Sequence, residues 1–379
     1  MQEMKSDFVI VGAGLSGAVM AERIASVLKK EVVVIERREH IGGNIYDYRD
    51  ENGILIHKYG PHAFHTNSKK VWDYLSRFTE WHYYSHKVHA IVDGTEIPLP
   101  FNLNSLHALF GGSLASRLED ALIATFGYGA RVPVLEMIKT SDKELVFLAD
   151  YVYRKIFLGY TLKQWGVRPE DLEASVTARV PVLVSRDNRH FQDRYQAIPK
   201  EGYTKMIERL LDHKLIRLEM GCDFNAVRNK VRYQWLVHTG PVDEFFGFKH
   251  RTLPYRSVEF TVRTCGQEFF QQVAQVNYPE DHDFTRITEF KHFLDAKAEA
   301  TTIAFEYPRD YVHGTNEPYY PIPRQENTKT YEFYRKEADA MKNVIFLGRL
   351  AEYRYYNMDQ AVGRALTLFE ERLDSSLSR

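Results

Sequence analysis

The chain has 379 residues, 44% of them hydrophobic and 27% charged, enough to bury a full core and to build two or three domains. Its 50 Lys and Arg nearly cancel its 51 Asp and Glu, so no general basic field exists to hold nucleic acid or an anionic membrane, and any anion site has to be built locally. Cys222 and Cys265 are too few for a disulfide framework and lack metal-ligand spacing; they fit a reducing cytoplasm and a protein without a metal.

The apolar opening, Phe8 to Met20, is broken by Gly12, Gly14 and Gly17 and followed by Glu22 and Arg23, so it reads as a folded core element and not as a leader. No run reaches the roughly 18 apolar residues that span a bilayer, and no membrane insertion is expected. Asp7 to Val11 predicts a strand, the glycines a turn, the next stretch to about Lys30 a helix, and Val32 to Ile35 a second strand. Two such apolar strands pair in parallel through a right-handed crossover, which puts the helix over a buried sheet. From Leu103 to about Leu172, helix-compatible stretches such as Asp142 to Leu158 predict a helical insertion punctuated at Gly127, Gly129 and Gly166. Between about Val180 and Phe305, short β-rich runs such as Ser257 to Arg263 and Thr301 to Tyr307 predict an antiparallel sheet. Asn343 to Leu347 reads as a buried strand returning to the first sheet, followed by Gly348, Arg349 and a helix from about Met358 to Leu373. The expected fold is α/β, a Rossmann-like dinucleotide domain with a helical domain and an antiparallel sheet domain.

Gly12-Ala13-Gly14-Leu15-Ser16-Gly17 fits G-x-G-x-x-G: the first glycine makes the turn, the second admits a pyrophosphate and the third lets helix approach strand. It follows a strand and opens a helix, whose free N–H groups attract phosphate. Glu36 falls about twenty residues on, where a carboxylate accepts ribose hydroxyls. It disfavours the 2′-phosphate of NADP, while Arg37 and Arg38 keep that cofactor open. FAD is favoured over NAD by the Gly42-Gly43-Asn44 segment beyond the second strand and by the late Gly348-Arg349 turn before a helix, because a long cofactor needs several contact segments. Cofactor contacts are expected from Gly12, Gly14, Gly17, Glu36, Arg37, Gly43, Asn44, Gly348, Arg349 and Met358.

Ile41-Gly42-Gly43-Asn44, the stretch from His57 through Gly60-Pro61-His62 to Thr66, and Gly348-Arg349-Leu350-Ala351-Glu352-Tyr353-Arg354-Tyr355 resemble bacterial UDP-galactopyranose mutases. The resemblance continues through Leu99-Pro100-Phe101-Asn102, Tyr160 to Trp165, Thr177 to Pro181 and Thr285 to Glu289, and so covers nearly the whole chain. It implies an FAD domain from 1–80, 200–245 and 325–379, a helical domain at 102–178 with a mobile substrate loop near 165–180, and a sheet domain from 81–101, 181–199 and 246–324. It also implies a cytoplasmic homodimer that interconverts UDP-galactopyranose and UDP-galactofuranose on reduced FAD, N5 attacking the anomeric carbon and UDP leaving.

By the same resemblance, Arg179 and Arg286 grip the diphosphate, which suits guanidinium because it stays charged and binds phosphate oxygens bidentately. Tyr320 and Tyr355 donate hydroxyl hydrogen bonds to phosphate. Tyr160 stacks on uracil, with Phe157, Gln164 and Asn277 around the uridine, and Trp165 opens the mobile loop. His62 lies near the flavin, and Arg256 and Arg349 near sugar and flavin, so Arg179, Arg286, His62 and Arg349 form the expected catalytic set. Two positions depart from the pattern: His190 stands where the family commonly has a phosphate-binding tyrosine, and Asn357 where it often has aspartate. Both leave open a mutase for a related sugar, such as UDP-N-acetylgalactosamine or a dTDP-deoxysugar. Other readings are a flavin oxidoreductase of the amine-oxidase type, whose pocket should be apolar and not arginine-rich, and a non-enzymatic relative such as the Rab GDP-dissociation inhibitors.

Overall fold

The computed structural model describes residues 3–172 and 181–374. Its first sheet has five parallel strands in the order Ile216–Glu219, Val32–Ile35, Met4–Val11, Val231–His238 and Val344–Phe346. Val32–Ile35 is buried throughout, as a strand covered on both faces has to be. On one face, helices Leu15–Arg23, Tyr203–Leu211 and Met358–Phe369 close a core around Ile10, Val19, Ile207 and Leu366. On the other, the short helices Phe224–Val227 and Val242–Phe245 contribute Phe224 and Phe245. The late strand does return to the opening sheet. The first helix runs less regularly than its sequence predicts, widening over Ile24–Leu28 and ending where Lys29 turns left-handed at φ 56°.

The second sheet has seven strands, in the order Tyr320–Pro321, Tyr255–Cys265, Thr301–Asp310, Arg286–Glu289, Gln275–Asn277, Val88–Val92 and Thr95–Leu99. One of its ladders departs from the antiparallel expectation: Gln275–Asn277 runs parallel to Val88–Val92. That pairing joins distant segments, and alternation within a strand says which face is buried but not which neighbour it takes. The 81–101 segment also divides, because Trp81–Tyr83 pairs with Tyr195–Pro199, and that strand with Phe64–Thr66, in a separate three-stranded sheet.

Helices Leu103–Leu109, Gly112–Phe126 and Lys143–Val152 bury Leu106, Leu118, Leu122, Leu145 and Leu148 in a core of their own. The last of these continues through a wide turn, Tyr153–Leu158, into Gly159–Trp165, and stops at Gly166 with φ 69°. A wide turn of this kind re-phases the helix: Tyr153 and Ile156 stay in the helical core, while Trp165 packs against Tyr320 of the seven-stranded sheet. Among the described residues no helix is long and apolar enough to cross a membrane.

Candidate active site

The cofactor cleft opens where the first strand ends. Gly12 turns the chain at φ 102°, where a side chain would run into Thr239 Oγ1. A Cβ on Gly17 would collide with the Gly12 carbonyl oxygen, so the third glycine serves the contact of helix with strand. Gly14 is different, since a Cβ there would meet nothing closer than Gly43 Cα at 3.7 Å. Its backbone borders the cleft together with Gly43 and Asn44, and the Gly42 N–H donates to the Ala13 carbonyl (2.9 Å), tying the second glycine pair to the first. Helix Leu15–Arg23 has no side-chain cap, which leaves its first N–H groups for an anion. Buried Glu36 lines the cleft and accepts from the backbone N–H groups of Ala13 (2.8 Å) and Arg38 (2.9 Å). Gly348, Arg349 and Met358 close the opposite side at the start of helix Met358–Phe369. Every expected cofactor residue borders this cleft except Gly17, which acts through packing. A glycine cradle between two helix N-termini fits the pyrophosphate of a dinucleotide.

Beside the cleft, the seven-stranded sheet carries a row of directly opposed residues. Asn277 faces Arg286, Arg286 faces Glu306, and Glu306 faces Phe260. Opposed residues project from one face, so neighbouring strands set an amide, a guanidinium and a carboxylate side by side. Arg286 Nε donates to Glu306 Oε2 at 2.7 Å, and the Glu306 side chain is 2% exposed. Burial works against the Arg286 charge, but the Glu306 carboxylate, with Tyr160 and Tyr320 adding to it, raises the pKa of the guanidinium. Glu306 Oε1 is buried without a hydrogen-bond partner among the described residues. Phe260 in turn packs against Gly60, where a Cβ would stand 3.0 Å from its ring, so the Gly60-Pro61-His62 turn sits over this row.

Several titratable side chains converge on Arg286. Burial lowers His62 and His190 to about 4 and His86 well below its ordinary value, and the Arg286 charge adds to the effect in all three. Burial raises Tyr160 to about 12, with Arg286 opposing. His62 lines the cofactor cleft with a buried Nδ1 that has no partner among the described residues. A second group joins it: the rings of Trp165, Tyr320 and Tyr355 lie 5.4 to 5.9 Å apart. The Arg349 guanidinium lies over Tyr320 and Tyr355 at 5.2 and 5.0 Å and donates to the Tyr319 and Tyr356 carbonyls. Arg349 therefore stands between the cofactor cleft and the aromatic wall.

Other expected residues are placed less directly. Arg256 donates to the carbonyls of Lys163 and Gln164 (both 3.0 Å) and to Asp310, capping the end of helix Gly159–Trp165. Phe157 packs against the helical core. Asn357 caps helix Met358–Phe369 with Gln360. Gln164 is buried with Oε1 unpartnered among the described residues, and His190 donates its backbone N–H to the His86 carbonyl at 2.8 Å. Arg37 and Arg38 converge on Glu317 at 2.6 and 2.8 Å. Arg179 lies outside the described residues. Sequence reasoning passed over Glu306, His86 and the cleft-lining Tyr319. Glu306 had a signal, a single acid in the apolar run Ile303-Ala304-Phe305, where a buried carboxylate has to find a partner. His86 had none, because its approach to Arg286 depends on long-range pairing.

These features define a dinucleotide-binding α/β protein in which the buried Arg286–Glu306 pair and Arg349 lie beside the cofactor cleft. Residues 155–355 match the family model for UDP-galactopyranose mutase, and residues 10–78 that for the NAD(P)-binding Rossmann-like domain. A probable UDP-galactopyranose mutase of Klebsiella pneumoniae is 36% identical over 97% of this chain and 95% of its own length. A dTDP-fucopyranose mutase of Escherichia coli is 31% identical over 94% and 96%. The chain belongs to the UDP-galactopyranose mutase family. A solved structure of reduced UDP-galactopyranose mutase superposes with a TM-score of 0.75 at 18% identity, over 98% of this chain and 96% of that one. A putrescine oxidase variant gives 0.61 at 11% identity, over 98% and 99%. At these identities the structural likenesses concern the fold alone.

Proposed function

We propose that the chain interconverts UDP-galactopyranose and UDP-galactofuranose on reduced FAD, as a cytoplasmic homodimer divided into the three domains outlined from the sequence. The observation that carries the reading is the Arg286–Glu306 pair, aligned by sheet register beside the cofactor cleft and facing the wall of Arg349, Tyr320 and Tyr355. Bound and reduced, FAD supplies the nucleophile for the anomeric carbon. The chain's own task is then to hold the sugar in place and to stabilise a departing diphosphate. Arg286 and Arg349, with Arg179, supply fixed positive charge; Tyr320 and Tyr355 offer hydroxyl donors; Tyr160 furnishes a flat surface for the base. With its pKa lowered to about 4, His62 is neutral at pH 7, so it adds no charge where it lines the cofactor cleft. A guanidinium-lined chamber argues against an amine-oxidase type of chemistry, which needs an apolar pocket.

A second substrate is favoured by one observation, that a relative of similar identity is named for dTDP-fucopyranose; the resemblance adds His190 in place of a phosphate-binding tyrosine. One experiment tests both readings. The protein, yellow as purified and then bleached by dithionite, is incubated separately with UDP-galactofuranose and dTDP-fucofuranose, and pyranose formation is followed by chromatography. Turnover of the first is expected to dominate. Turnover of the second alone would move the assignment to the deoxysugar, and turnover of neither would reject both.

A further inference from the structure

Helix Gly159–Trp165 is locked to the 278–285 connection by contacts that neither the cofactor cleft nor the anion grip requires. The Lys163 ammonium donates to the carbonyls of Tyr278, Glu280 (3.0 Å), His282 (3.0 Å) and Phe284 (3.3 Å). Alternate carbonyls of one segment thus turn inward on a single cation, whose three protons are shared among them. Burial lowers the Lys163 pKa, and Asp281 and Asp283 of the same segment oppose this. The helix and the wide turn before it make two more contacts with the segment. Gly159 lies so close to the segment that a Cβ would collide with the Pro279 carbonyl oxygen, and Lys155 pairs with Glu280 at 2.8 Å. Lys155 in the wide turn, and Gly159 and Lys163 in the helix that follows it, thus all meet the same segment.

The clamped segment is the loop of a hairpin whose arms meet at Asn277 and Arg286, opposed in register. The helix carries Tyr160, Gln164 and Trp165. We infer that Lys163 is a positioning residue that sets the distance between the base-stacking helix and the Arg286 anion grip, and so matches the site to a nucleoside diphosphate. This rests on the proposed function. A ligand that bridges both ends feels a change in that distance, whereas one that touches a single end does not.

The test uses the FAD-loaded protein and two variants. Lys163→Met keeps the side-chain stem and removes the charge; Gly159→Ala pushes a methyl against Pro279 while favouring the helix. UDP affinity is measured by calorimetry, the uridine inhibition constant and KM and kcat by turnover, and FAD content by absorbance. Both variants are expected to retain FAD and to bind UDP at least about tenfold more weakly, the scale of a sub-ångström to one-ångström misplacement. KM should rise more than kcat falls, the uridine constant should move by less than about twofold, and Lys163→Arg should recover most of the loss. Unchanged UDP affinity in Lys163→Met, or equal losses for UDP and uridine, would overturn the inference. If Lys163→Met sheds FAD or fails to fold, Gly159→Ala decides, and wild-type UDP affinity there overturns it. A wild-type protein that binds no UDP overturns the proposed function and the inference with it, and is recognised because it is measured alongside.

Discussion

Glu306 fixes the Nε edge of Arg286, and in the proposed function the rest of the guanidinium grips the diphosphate. Two consequences can be separated by experiment. Arg286→Ala should lower turnover by about 10²- to 10³-fold, the usual cost of losing one charge-stabilising donor, while FAD stays bound. It should also cost about 3–5 kcal/mol of stability, because Glu306 is then a buried carboxylate without its cation. Adding Glu306→Gln removes that charge, so the double variant should regain much of the melting temperature and none of the turnover. Recovery of activity, or an Arg286→Ala protein as active as the parent, would remove the role given to this pair. Arg286 was reachable from the Thr285-Arg286-Ile287-Thr288-Glu289 segment, whereas its pairing with Glu306 depends on which strands are neighbours. Arg256 was likewise reachable from the sequence, whereas the partners of its guanidinium, the Lys163 and Gln164 carbonyls and Asp310, depend on the fold.

At the scale of elements, the glycine turn was the most legible part of the chain, and the structure gives its glycines different jobs. Gly17 is held by the Gly12 carbonyl, so Gly17→Ala should push helix from strand and destabilise the domain itself. Gly14 has no such neighbour, so Gly14→Val should fold with a near-parental circular dichroism spectrum yet purify colourless, because the new side chain fills the pyrophosphate path. A yellow Gly14→Val protein would refute the placement of the cofactor. Strand and helix identities were readable from local periodicity, but partnership was not. The parallel ladder of Gln275–Asn277 with Val88–Val92 joins residues far apart in the chain. The wide helical turn at Tyr153–Leu158 likewise leaves no mark in the apolar pattern, although it separates core-facing Ile156 from Trp165. Local patterns record burial; a neighbour is chosen by the whole fold.

Among the described residues of the whole molecule, six histidines, His40 among them, have burial as the largest cause of a lowered pKa. His57 lies near 3; His62, His190 and His238 lie near 4; and His86 is well below its ordinary value. Each is neutral in the folded protein at pH 7 and takes up a proton near 6.5 once unfolded, so the unfolded state binds more protons through the interval between. Their contribution is fully present above about pH 6.5 and is lost as pH falls towards the folded values. For fully buried His238, the shift from 6.5 to about 4 corresponds to about 3 kcal/mol. Asp47 and Asp243, raised by burial, act in the opposite sense, and nearer the carboxylate range. Urea unfolding measured between pH 7 and 5 should therefore lose stability steeply, with a slope of several protons near pH 5. His57→Gln, whose amide oxygen can still accept the His62 N–H, should reduce that slope by about one proton whatever it does to absolute stability. A stability that stays level from pH 7 to 5 would mean that these rings are not held neutral. The surroundings of Arg286 would then carry more positive charge than Arg286 and Arg349 provide, because His62, His86 and His190 all sit within reach of Arg286.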